Sequence, residues 1–370
     1  MVRICITGGF GFLGWHTACR LRALHGIEPV RLGRADVADP RRLAAAVSAS
    51  DVVLHLAGVN RAEEPTAVEQ GNINLADALA AALRASPRPV DVVYANSVHA
   101  SLDNPYGRGK ARAATLLADA ARSTGGSFAD VLLPNLFGEH GRAHYNSFVA
   151  TFAAEVARGG SPVVTADREV GLLHVQQAAA ALLDSVGDDE QRVVEGEPHL
   201  ISGVLASLQA THALYAGRGE VPPLTTPFEV DLFNTYRAAS FPQMWPVAPT
   251  VHADNRGALV EAVRSHGGTG QAFVSTTLPG MVRGDHYHLR KVERFMVVHG
   301  TAEIRLRRLL HDEVVSFTVT GSSPAYVDMP TLWVHNIRNI GDDELVTMFW
   351  SDQLLDPRDP DQYAERVDTT

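Results

Sequence analysis

The sequence predicts an α/β fold with a doubly wound parallel sheet, followed by a smaller all-β domain. Through roughly the first 215 residues, short β-branched runs alternate with longer Ala- and Leu-rich helical stretches, as is typical of parallel strands covered on both faces. After Thr250 the helical period disappears, and short strands separated by turns indicate an antiparallel sandwich or barrel. Pro- and Gly-rich segments lie at 217–227 and 241–249, so we expect domains of residues 1–245 and 246–370.

The individual elements are predicted from their periodicity and from the residues that bound them. The strands expected in the first domain are Arg3–Thr7, Pro29–Leu32, Asp51–Leu56, Val90–Ala95 and Ala129–Leu133. The helices expected between and after them are Leu13–Leu24, Arg41–Ser48, Ile73–Arg84, Gly107–Ser123 and Ser147–Arg158. The strands expected in the second domain are Gln271–Thr277, Arg294–Val298, Ala302–Leu306, Val314–Thr318, Ala325–Asp328 and Leu345–Trp350.

Composition and charge limit the classes of protein that fit this chain. Of its 370 residues, 45% are hydrophobic and 20% are charged, which allows a sizeable core and excludes wholesale disorder. The net charge of -10 argues against a nucleic-acid binder, which needs a basic face. No apolar run reaches the roughly 18 residues of a membrane span. Cys5 and Cys19 are too few for a disulfide framework, so we expect a cytoplasmic protein with no membrane partner.

A glycine-rich segment directly follows the first predicted strand. In Thr7–Gly14, glycines recur at positions 8, 11 and 14, where the chain can turn tightly and approach a ligand closely before a helix begins. The free N–H groups at the start of that helix favour the negative charge of a pyrophosphate. We therefore predict a dinucleotide site here, and the residues expected to bind it are Gly8, Phe10, Gly11, Phe12, Leu13 and Gly14. An ordinary glycine-rich turn is the alternative interpretation.

A tyrosine and a lysine four residues apart form the second element of this site. The chain has only two lysines, and one of them occurs in Tyr106-Gly-Arg-Gly-Lys110. Residues i and i+4 share a helix face, so the Lys110 ammonium can lower the pKa of the Tyr106 phenol. Such a phenol can give a proton to a carbonyl oxygen while hydride arrives from a nicotinamide, and Ser97 can hold the same oxygen. An exposed tyrosine beside a solvated lysine is the alternative.

These segments together resemble the extended short-chain dehydrogenases/reductases, nucleotide-sugar epimerases, dehydratases and reductases with a Rossmann-type sheet. The resemblance covers about residues 1–240 and is carried by the glycine pattern, His55-Leu56-Ala57-Gly58, Ser97, the Tyr106–Lys110 pair and Pro134–Gly138. It assigns catalysis to Ser97, Tyr106 and Lys110, the cofactor site to Leu56, Ala57 and Lys110, and sugar-nucleotide binding to Asn135. One departure is that Ser97 lies only nine residues before Tyr106, a shorter loop than is usual in the family.

The end of the second strand decides which nicotinamide cofactor we expect. An NAD enzyme places Asp or Glu there to bind the ribose hydroxyls, whereas this chain has no acid between Val30 and Asp36. Arg34, or Arg31 as the alternative, can form a charge-assisted bidentate pair with a 2′-phosphate. We therefore expect NADPH rather than NADH, and a solvated loop arginine is the alternative interpretation of Arg34.

Residues with metal-ligand spacing lie in the second domain. His286 and His288 are two apart on one expected strand, so both imidazoles point to the same face. Glu293 follows on the next strand and His335 on a third, and the four side chains can converge inside a barrel. Three imidazoles and a carboxylate suit zinc, iron, manganese or nickel. We therefore predict a divalent metal site, with buried core histidines as the alternative.

The spacing of these ligands resembles that of the cupins, a family of jelly-roll β-domains. The first cupin motif, from Gly280 to Gly300, is complete, whereas the second is partial because Leu332 stands where glycine is usual. The string Arg283–Tyr287 also resembles the segment of deoxysugar epimerases that carries their base histidine, which assigns Arg283 to substrate binding. A metal-bound His286 and a His286 that acts as base are competing hypotheses, and the intact ligand set favours the metal.

A reductase domain in front of a metal-binding β-domain resembles the bifunctional enzymes of capsular polysaccharide synthesis. The segments that carry this resemblance are His55–Arg61, Asp103–Gly107, Pro134–Gly138 and Tyr145–Ser147. It implies that the β-domain epimerises C-3 of a UDP-linked 4-keto-6-deoxy-N-acetylhexosamine, and that the first domain then reduces the 4-keto group with NADPH. It further implies a homodimer with zinc in the β-domain.

Two other functions compete with this one. The chain can be a single-activity reductase or epimerase whose β-domain serves dimerisation, in which case the metal ligands should have decayed. It can also be a non-enzymatic sensor that binds NADP or a sugar, a class that typically lacks the Tyr–Lys pair. Both sets of residues are intact, which favours the bifunctional enzyme.

Overall fold

The computed structural model describes residues 2–369. Within them the strands are β1 (Ile4–Thr7), β2 (Val30–Leu32), β3 (Val52–His55), β4 (Asp91–Ser97), β5 (Phe128–Leu133), β6 (Asn135–Phe137), β7 (Glu169–His174), β8 (Gln191–Val193), β9 (Glu197–Leu200), β10 (Val251–Asp254), β11 (Gly257–Val260), β12 (Gln271–Thr277), β13 (Val282–Tyr287), β14 (Glu293–His299), β15 (Thr301–Arg308), β16 (Val314–Thr320), β17 (Tyr326–Met329), β18 (Trp333–Asn339), β19 (Leu345–Ser351) and β20 (Tyr363–Ala364). The helices are α1 (Phe12–His25), α2 (Arg34–Ala38), α3 (Pro40–Ala49), α4 (Pro65–Arg84), α5 (Pro105–Ser123), α6 (Phe148–Ala157), α7 (Val175–Asp184), α8 (Ile201–Arg218) and α9 (Pro227–Ser240).

The chain forms two compact units. One comprises the chain up to Phe137 together with Arg168–Leu200, and the other comprises Gly138–Asp167 together with the chain from Ile201 onward. The parallel sheet lies in the first unit and the antiparallel sheets lie in the second, which confirms the predicted fold class. The domain boundary near residue 245 stays a prediction.

Six parallel strands form the main sheet of the first unit, in the order β2-β1-β3-β4-β5-β8. One face of this sheet packs against α3, α4 and α5 through a shared apolar core, whose buried members include Val53, Leu79, Val92 and Leu117. A smaller sheet pairs β6 parallel to β7, and β7 antiparallel to β9. The carboxyl ends of the parallel strands meet at one edge, which is where the predicted cofactor loop and Ser97 lie.

The second unit contains two antiparallel sheets, in the orders β12-β19-β14-β17 and β16-β15-β18-β13-β20. Their fully buried side chains include Val297, Ile304, Val327 and Val334, which belong to strands of both sheets. A separate hairpin pairs β10 with β11. The predicted metal ligands lie on or beside the adjacent strands β13 and β18 and at the start of β14.

Helices α8 and α9 pack within the second unit through a buried polar network. The Arg294 guanidinium on β14 donates to the two carboxylate oxygens of Asp328 at 2.7 and 3.0 Å, and Tyr215 on α8 donates to the same carboxylate at 2.5 Å. Arg237 on α9 donates to the carbonyl oxygen of Met329 on β17. A buried ion pair is tolerated only when additional hydrogen bonds satisfy it, and Tyr215 supplies one here.

Candidate functional site

The glycine loop brings α1 close to the end of β1. Gly8 has φ of +70°, and a Cβ atom there would lie 2.8 Å from the backbone nitrogen of Ala57. A Cβ on Gly14 would lie 2.2 Å from the carbonyl oxygen of Gly8, so only glycine allows this approach. Helix α1 begins after Gly11 with no side-chain cap and no acidic residue in its first turn. The loop therefore has the backbone geometry of an anion site at a helix N-terminus.

The segment after β3 lies against this loop, as the sequence predicts for Leu56 and Ala57. The Ala57 N–H donates to the Thr7 hydroxyl oxygen at 3.3 Å. The buried His55 ring shares a hydrogen bond between its Nδ1 and the same hydroxyl oxygen at 2.8 Å. The structure thus brings the predicted cofactor residues of β1, α1 and β3 together.

After β2, Arg34 is exposed to solvent, whereas the nearby Asp36 caps a helix. Arg34 is the first residue of α2, and its side chain is exposed. The Asp36 carboxylate accepts hydrogen bonds from the Gly33 N–H at 3.0 Å and from Arg42 at 3.2 Å, and these contacts lower its pKa. Arg31 lies over the exposed Phe10 ring at 4.7 Å. Asp36 is therefore engaged as a helix cap.

The structure brings Ser97 and Tyr106 together despite the short loop between them. Ser97 ends β4, and Tyr106 is the second residue of α5, which the Asn104 side chain caps by accepting the Gly107 N–H at 2.8 Å. Burial raises the pKa of the Tyr106 phenol, and a hydrogen bond with the Ser97 side chain opposes that rise. The pair can therefore place two hydroxyl groups on one carbonyl oxygen.

Lys110 lies on α5 four residues after Tyr106, as predicted, and its ammonium contacts β4. Its Nζ donates to the carbonyl oxygen of Ala95 at 2.7 Å and lies 4.2 Å from the centre of the Tyr94 ring. Burial lowers the pKa of Lys110 to about 7. The prediction that its ammonium lowers the pKa of Tyr106 is wrong for this structure, because burial of the phenol dominates and the opposing hydrogen bond comes from Ser97.

The two predicted substrate residues belong to different units. Asn135 begins β6, is exposed, and its side-chain amide donates to the carbonyl oxygen of Gly171 at 3.4 Å. Arg283 on β13 donates to the carbonyl oxygen of Thr276 at 2.9 and 3.0 Å and to the hydroxyl oxygen of Thr277 at 3.1 Å. Hydrogen bonds to backbone carbonyl oxygens therefore hold both side chains in place.

The four predicted metal ligands converge in the second unit. One ligand atom from each of His286, His288, Glu293 and His335 lies within 4.8 Å of every other. A single Glu293 oxygen is 2.9 Å from Nε2 of His288, 3.5 Å from that of His335 and 3.9 Å from that of His286. Although burial opposes ionisation, the imidazoles hold the pKa of Glu293 well below its ordinary value.

Backbone carbonyls orient two of these imidazoles. Nδ1 of His288 bonds to the carbonyl oxygen of Asp361, and Nδ1 of His335 bonds to that of Trp333 at 3.0 Å. The Nε2 atoms of both rings are buried and lie beside the Glu293 carboxylate, but neither forms a well-aligned hydrogen bond with any described residue. A buried polar atom without a partner is costly, so this donor set fits a divalent cation.

The local backbone explains how the ligands reach one place. Asp285 has φ of 57°, and the register between β13 and β18 shifts at this bulge, after which His286 pairs directly with His335. Leu332 has φ of 63°, the left-handed region that favours glycine, at the position where the resembled motif has glycine. The second motif therefore has the backbone conformation that glycine favours at this position, although leucine occupies it.

Sequence reasoning missed the residues that support these sites. Asp361 follows the last long strand, and its carboxylate accepts three backbone N–H groups of residues 289–291 at 2.8 and 3.0 Å. Asp130 on β5 is buried and raises the pKa of Lys110. Neither acid stands in a motif, so only the folded contacts distinguish them from the other acids of the chain.

The matches to known families define the class of protein. Residues 4–191 match the NAD dependent epimerase/dehydratase family, and residues 252–363 match the polysaccharide biosynthesis C-terminal domain. The chain therefore belongs to the NAD dependent epimerase/dehydratase family, and membership implies a nicotinamide cofactor.

Individual relatives extend the likeness over the whole chain. A UDP-2-acetamido-2,6-beta-L-arabino-hexul-4-ose reductase of Pseudomonas aeruginosa is 30% identical over 373 residues, which cover 98% of both proteins. The solved structure of the capsular polysaccharide assembling protein CapF from Staphylococcus aureus is 29% identical, with a TM-score of 0.64, and the match covers 99% of this chain and 100% of that one. The predicted resemblance to enzymes of capsular polysaccharide synthesis is confirmed.

A further relative matches about a third of the chain. The spore coat polysaccharide biosynthesis protein SpsL of Bacillus subtilis is 26% identical over 120 residues, 30% of this chain and 80% of that protein. Among the described residues, no helix has the length and apolar character needed to cross a membrane.

Proposed function

We propose that this chain is a bifunctional nucleotide-sugar enzyme. Its β-domain epimerises C-3 of a UDP-linked 4-keto-6-deoxy-N-acetylhexosamine, and its first domain reduces the 4-keto group with NADPH, in the synthesis of deoxysugar precursors for capsular polysaccharide. The observation that carries the proposal is that one chain holds both a Ser97–Tyr106 pair with Lys110 and a convergent His3Glu cluster. The reductase of Pseudomonas aeruginosa, which matches this chain over 98% of its length, supports the substrate class.

The first domain supplies the proton for reduction of the ketone. Tyr106 donates its phenolic proton to the 4-keto oxygen, and Ser97 holds that oxygen through its hydroxyl group. The exposed edge that contains the glycine loop positions the dinucleotide, and its helix N-terminus neutralises the pyrophosphate. When bound, NADPH supplies the hydride that reaches C-4.

The β-domain prepares the stereocentre next to the same ketone. His286, His288, Glu293 and His335 would hold a divalent metal, with zinc expected from the donor set. When bound, the metal supplies positive charge beside the ketone oxygen, which makes the C-3 proton more acidic. Reduction of the ketone afterwards removes that acidity, so the first domain makes the epimerised product resistant to reversal.

The preference for NADPH rests on the end of β2. Arg34 is exposed there, while Asp36 already accepts hydrogen bonds from Gly33 and Arg42. A guanidinium in this position suits a 2′-phosphate, whereas an engaged carboxylate is less available to ribose hydroxyls.

We further propose that the enzyme works as a homodimer in the cytoplasm. Both cysteines are buried thiols, which suits a reducing compartment. A single-activity reductase, whose β-domain serves association, is the second candidate, and the name of the Pseudomonas aeruginosa relative, which mentions reduction alone, favours it.

Proton NMR distinguishes the two candidates. A UDP-linked 4-keto-6-deoxy sugar is incubated with the enzyme in D2O without NADPH, and the C-3 proton signal is followed. The bifunctional enzyme exchanges that proton for deuterium before any reduction occurs. Absence of exchange, in a preparation that reduces the ketone once NADPH is added, would leave the single-activity reductase.

A further inference from the structure

A row of polar residues crosses the main sheet beneath helix α5. Thr7 pairs with His55, His55 with Tyr94, Tyr94 with Asp130 and Asp130 with Gln191, each on the neighbouring parallel strand. Paired positions of neighbouring strands point to the same face of a sheet, so these five side chains form one continuous row. We call this row the polar ladder.

Asp130 is the acidic member of the polar ladder, and hydrogen bonds hold both of its carboxylate oxygens. Asn96 donates its side-chain N–H to one Asp130 oxygen at 2.8 Å, and Gln191 donates to the other at 2.8 Å. An ionised carboxylate only accepts hydrogen bonds, and both oxygens here do so. Asp130 is 7% exposed, and a cation nearby stabilises a carboxylate that is buried in this way.

Lys110 lies on the polar ladder from the helix above. Its Nζ bonds to the carbonyl oxygen of Ala95 on β4 and lies over the Tyr94 ring. The side chain is 5% exposed, and an ammonium buried this deeply tends to lose its proton. The Asp130 carboxylate opposes that loss.

The other titratable groups around Lys110 do not supply a negative charge that would keep its ammonium protonated. His55 on β3 stays neutral, because burial and the Lys110 charge lower its pKa to about 3. Tyr94 on β4 and Tyr106 on α5 have pKa values raised by burial, so both phenols are neutral near pH 7. On α4, Glu69 pairs with Arg108 at 2.9 Å.

We propose that Asp130 is a positioning residue that keeps Lys110 charged and seated on β4 through the polar ladder. The catalytic consequence rests on the proposed function, because it matters only if Lys110 serves the reductase. The charge itself can be measured without any substrate.

The two lysines of the chain make this measurement direct. Protein labelled with 13C at the lysine ε-carbon gives one NMR signal from Lys110 and one from Lys291, and Lys291→Arg assigns them. Each signal is followed from about pH 5 to 11 in the wild type, in Asp130→Asn and in Asp119→Asn. Asp119 is an exposed carboxylate on the same helix as Lys110, so its variant removes equal charge outside the polar ladder.

The expected result is specific to one signal and one variant. Asp130→Asn should lower the Lys110 midpoint by about one pH unit, since an opposite charge nearby shifts a pKa by roughly that amount. Asp119→Asn should leave the Lys110 midpoint unchanged. An unchanged Lys110 midpoint in folded Asp130→Asn would overturn the proposal.

Kinetics separate this proposal from the proposed function. If both hold, the alkaline limb of kcat/KM for ketone reduction moves down in Asp130→Asn by the same amount as the midpoint, and Asp130→Glu restores it. If Asp130→Asn shows the NMR shift but the wild type reduces no ketone, the reductase is refuted and the role of Asp130 in keeping Lys110 charged remains. If Asp130→Asn fails to fold, Asp130→Ser replaces it.

If both variants fail to fold, the wild type is labelled with 13C at its aspartate carboxyl groups. The Asp130 signal must then shift at the pH where Lys110 titrates, and a signal that does not shift there would overturn the proposal.

Discussion

Arg34 is the single side chain on which the cofactor choice depends. It is exposed at the start of α2, and Arg31, the alternative, lies over the Phe10 ring. Arg34→Ala removes the guanidinium that we propose pairs with the 2′-phosphate, so the Kd for NADPH should rise about tenfold or more while that for NADH stays the same. Titration of both dinucleotides measures this, with Arg31→Ala as the matched control. Equal weakening of both cofactors, or a wild type that binds NADH as tightly as NADPH, would contradict the assignment.

The buried His55 predicts how stability responds to acid. Burial, together with the charge of Lys110, lowers the pKa of His55 to about 3, whereas an unfolded histidine has a pKa of about 6.5. The unfolded state therefore binds the proton first, so the contribution is fully present above about pH 6.5 and is lost as the pH falls toward 3, by at most about 1.4 kcal/mol per pH unit.

Urea unfolding at several pH values tests this behaviour. The free energy of unfolding of the wild type should fall more steeply between about pH 6.5 and 4 than that of His55→Gln, which has no imidazole to protonate. The exposed His25 offers the control, because His25→Gln should keep the wild-type slope. Parallel slopes in wild type and His55→Gln would contradict a buried neutral His55.

The sequence predicted which residues belong to each site better than it predicted the contacts that those residues make. Spacing alone placed Tyr106 and Lys110 on one helix, and the structure agrees. It also placed His286 and His288 on one strand, which is wrong, because β13 ends at Tyr287 and His288 follows it. It did not predict that Lys110 would bond to the carbonyl oxygen of Ala95, because that contact joins a helix to a strand fifteen positions earlier in the chain.

At the scale of elements, a short C-terminal segment supports the metal cluster. The Asp361 carboxylate holds the backbone N–H groups of residues 289–291, and its carbonyl oxygen orients His288. Asp361→Ala frees this loop while leaving all four ligands in the chain. Metal affinity should therefore fall by about tenfold or more, as is usual when support behind a ligand is lost.

Competition with a chromogenic chelator measures that affinity. The matched control is Asp359→Ala, because Asp359 is exposed and its carboxylate pairs with the side chain of Arg290. The control should bind metal like the wild type. If Asp361→Ala does so as well, the segment has no supporting role.

Elements with strong local signals were the ones that the sequence predicted. Five strands of the main sheet were predicted, as were α3 and α5, which have clear periods and side-chain caps. The sixth strand, β8, was not predicted. Local patterns did not predict that α8 and α9 associate with the antiparallel sheets. That association depends on the buried pair of Arg294 and Asp328, to which Tyr215 on α8 is hydrogen-bonded. Local propensity carries no information about such long-range partners.

At the scale of the whole molecule, the proposed function assigns a separate chemistry to each of the two units. The Ser97–Tyr106 pair and the polar ladder lie in the first unit, and the four metal ligands lie in the second. If the division of labour holds, each activity can be removed alone. Tyr106→Phe deletes the proton donor, whereas His288→Ala combined with Glu293→Ala deletes two of the four ligands.

The most direct test follows both activities in both variants on one 4-keto nucleotide sugar. Tyr106→Phe should lose about 10²-fold or more of its NADPH oxidation and keep C-3 deuterium exchange. The double ligand variant, and wild type stripped by a chelator, should lose metal and exchange but still reduce substrate that already has the correct C-3 configuration. Loss of both activities in folded Tyr106→Phe, or full exchange by metal-free protein, would contradict the account.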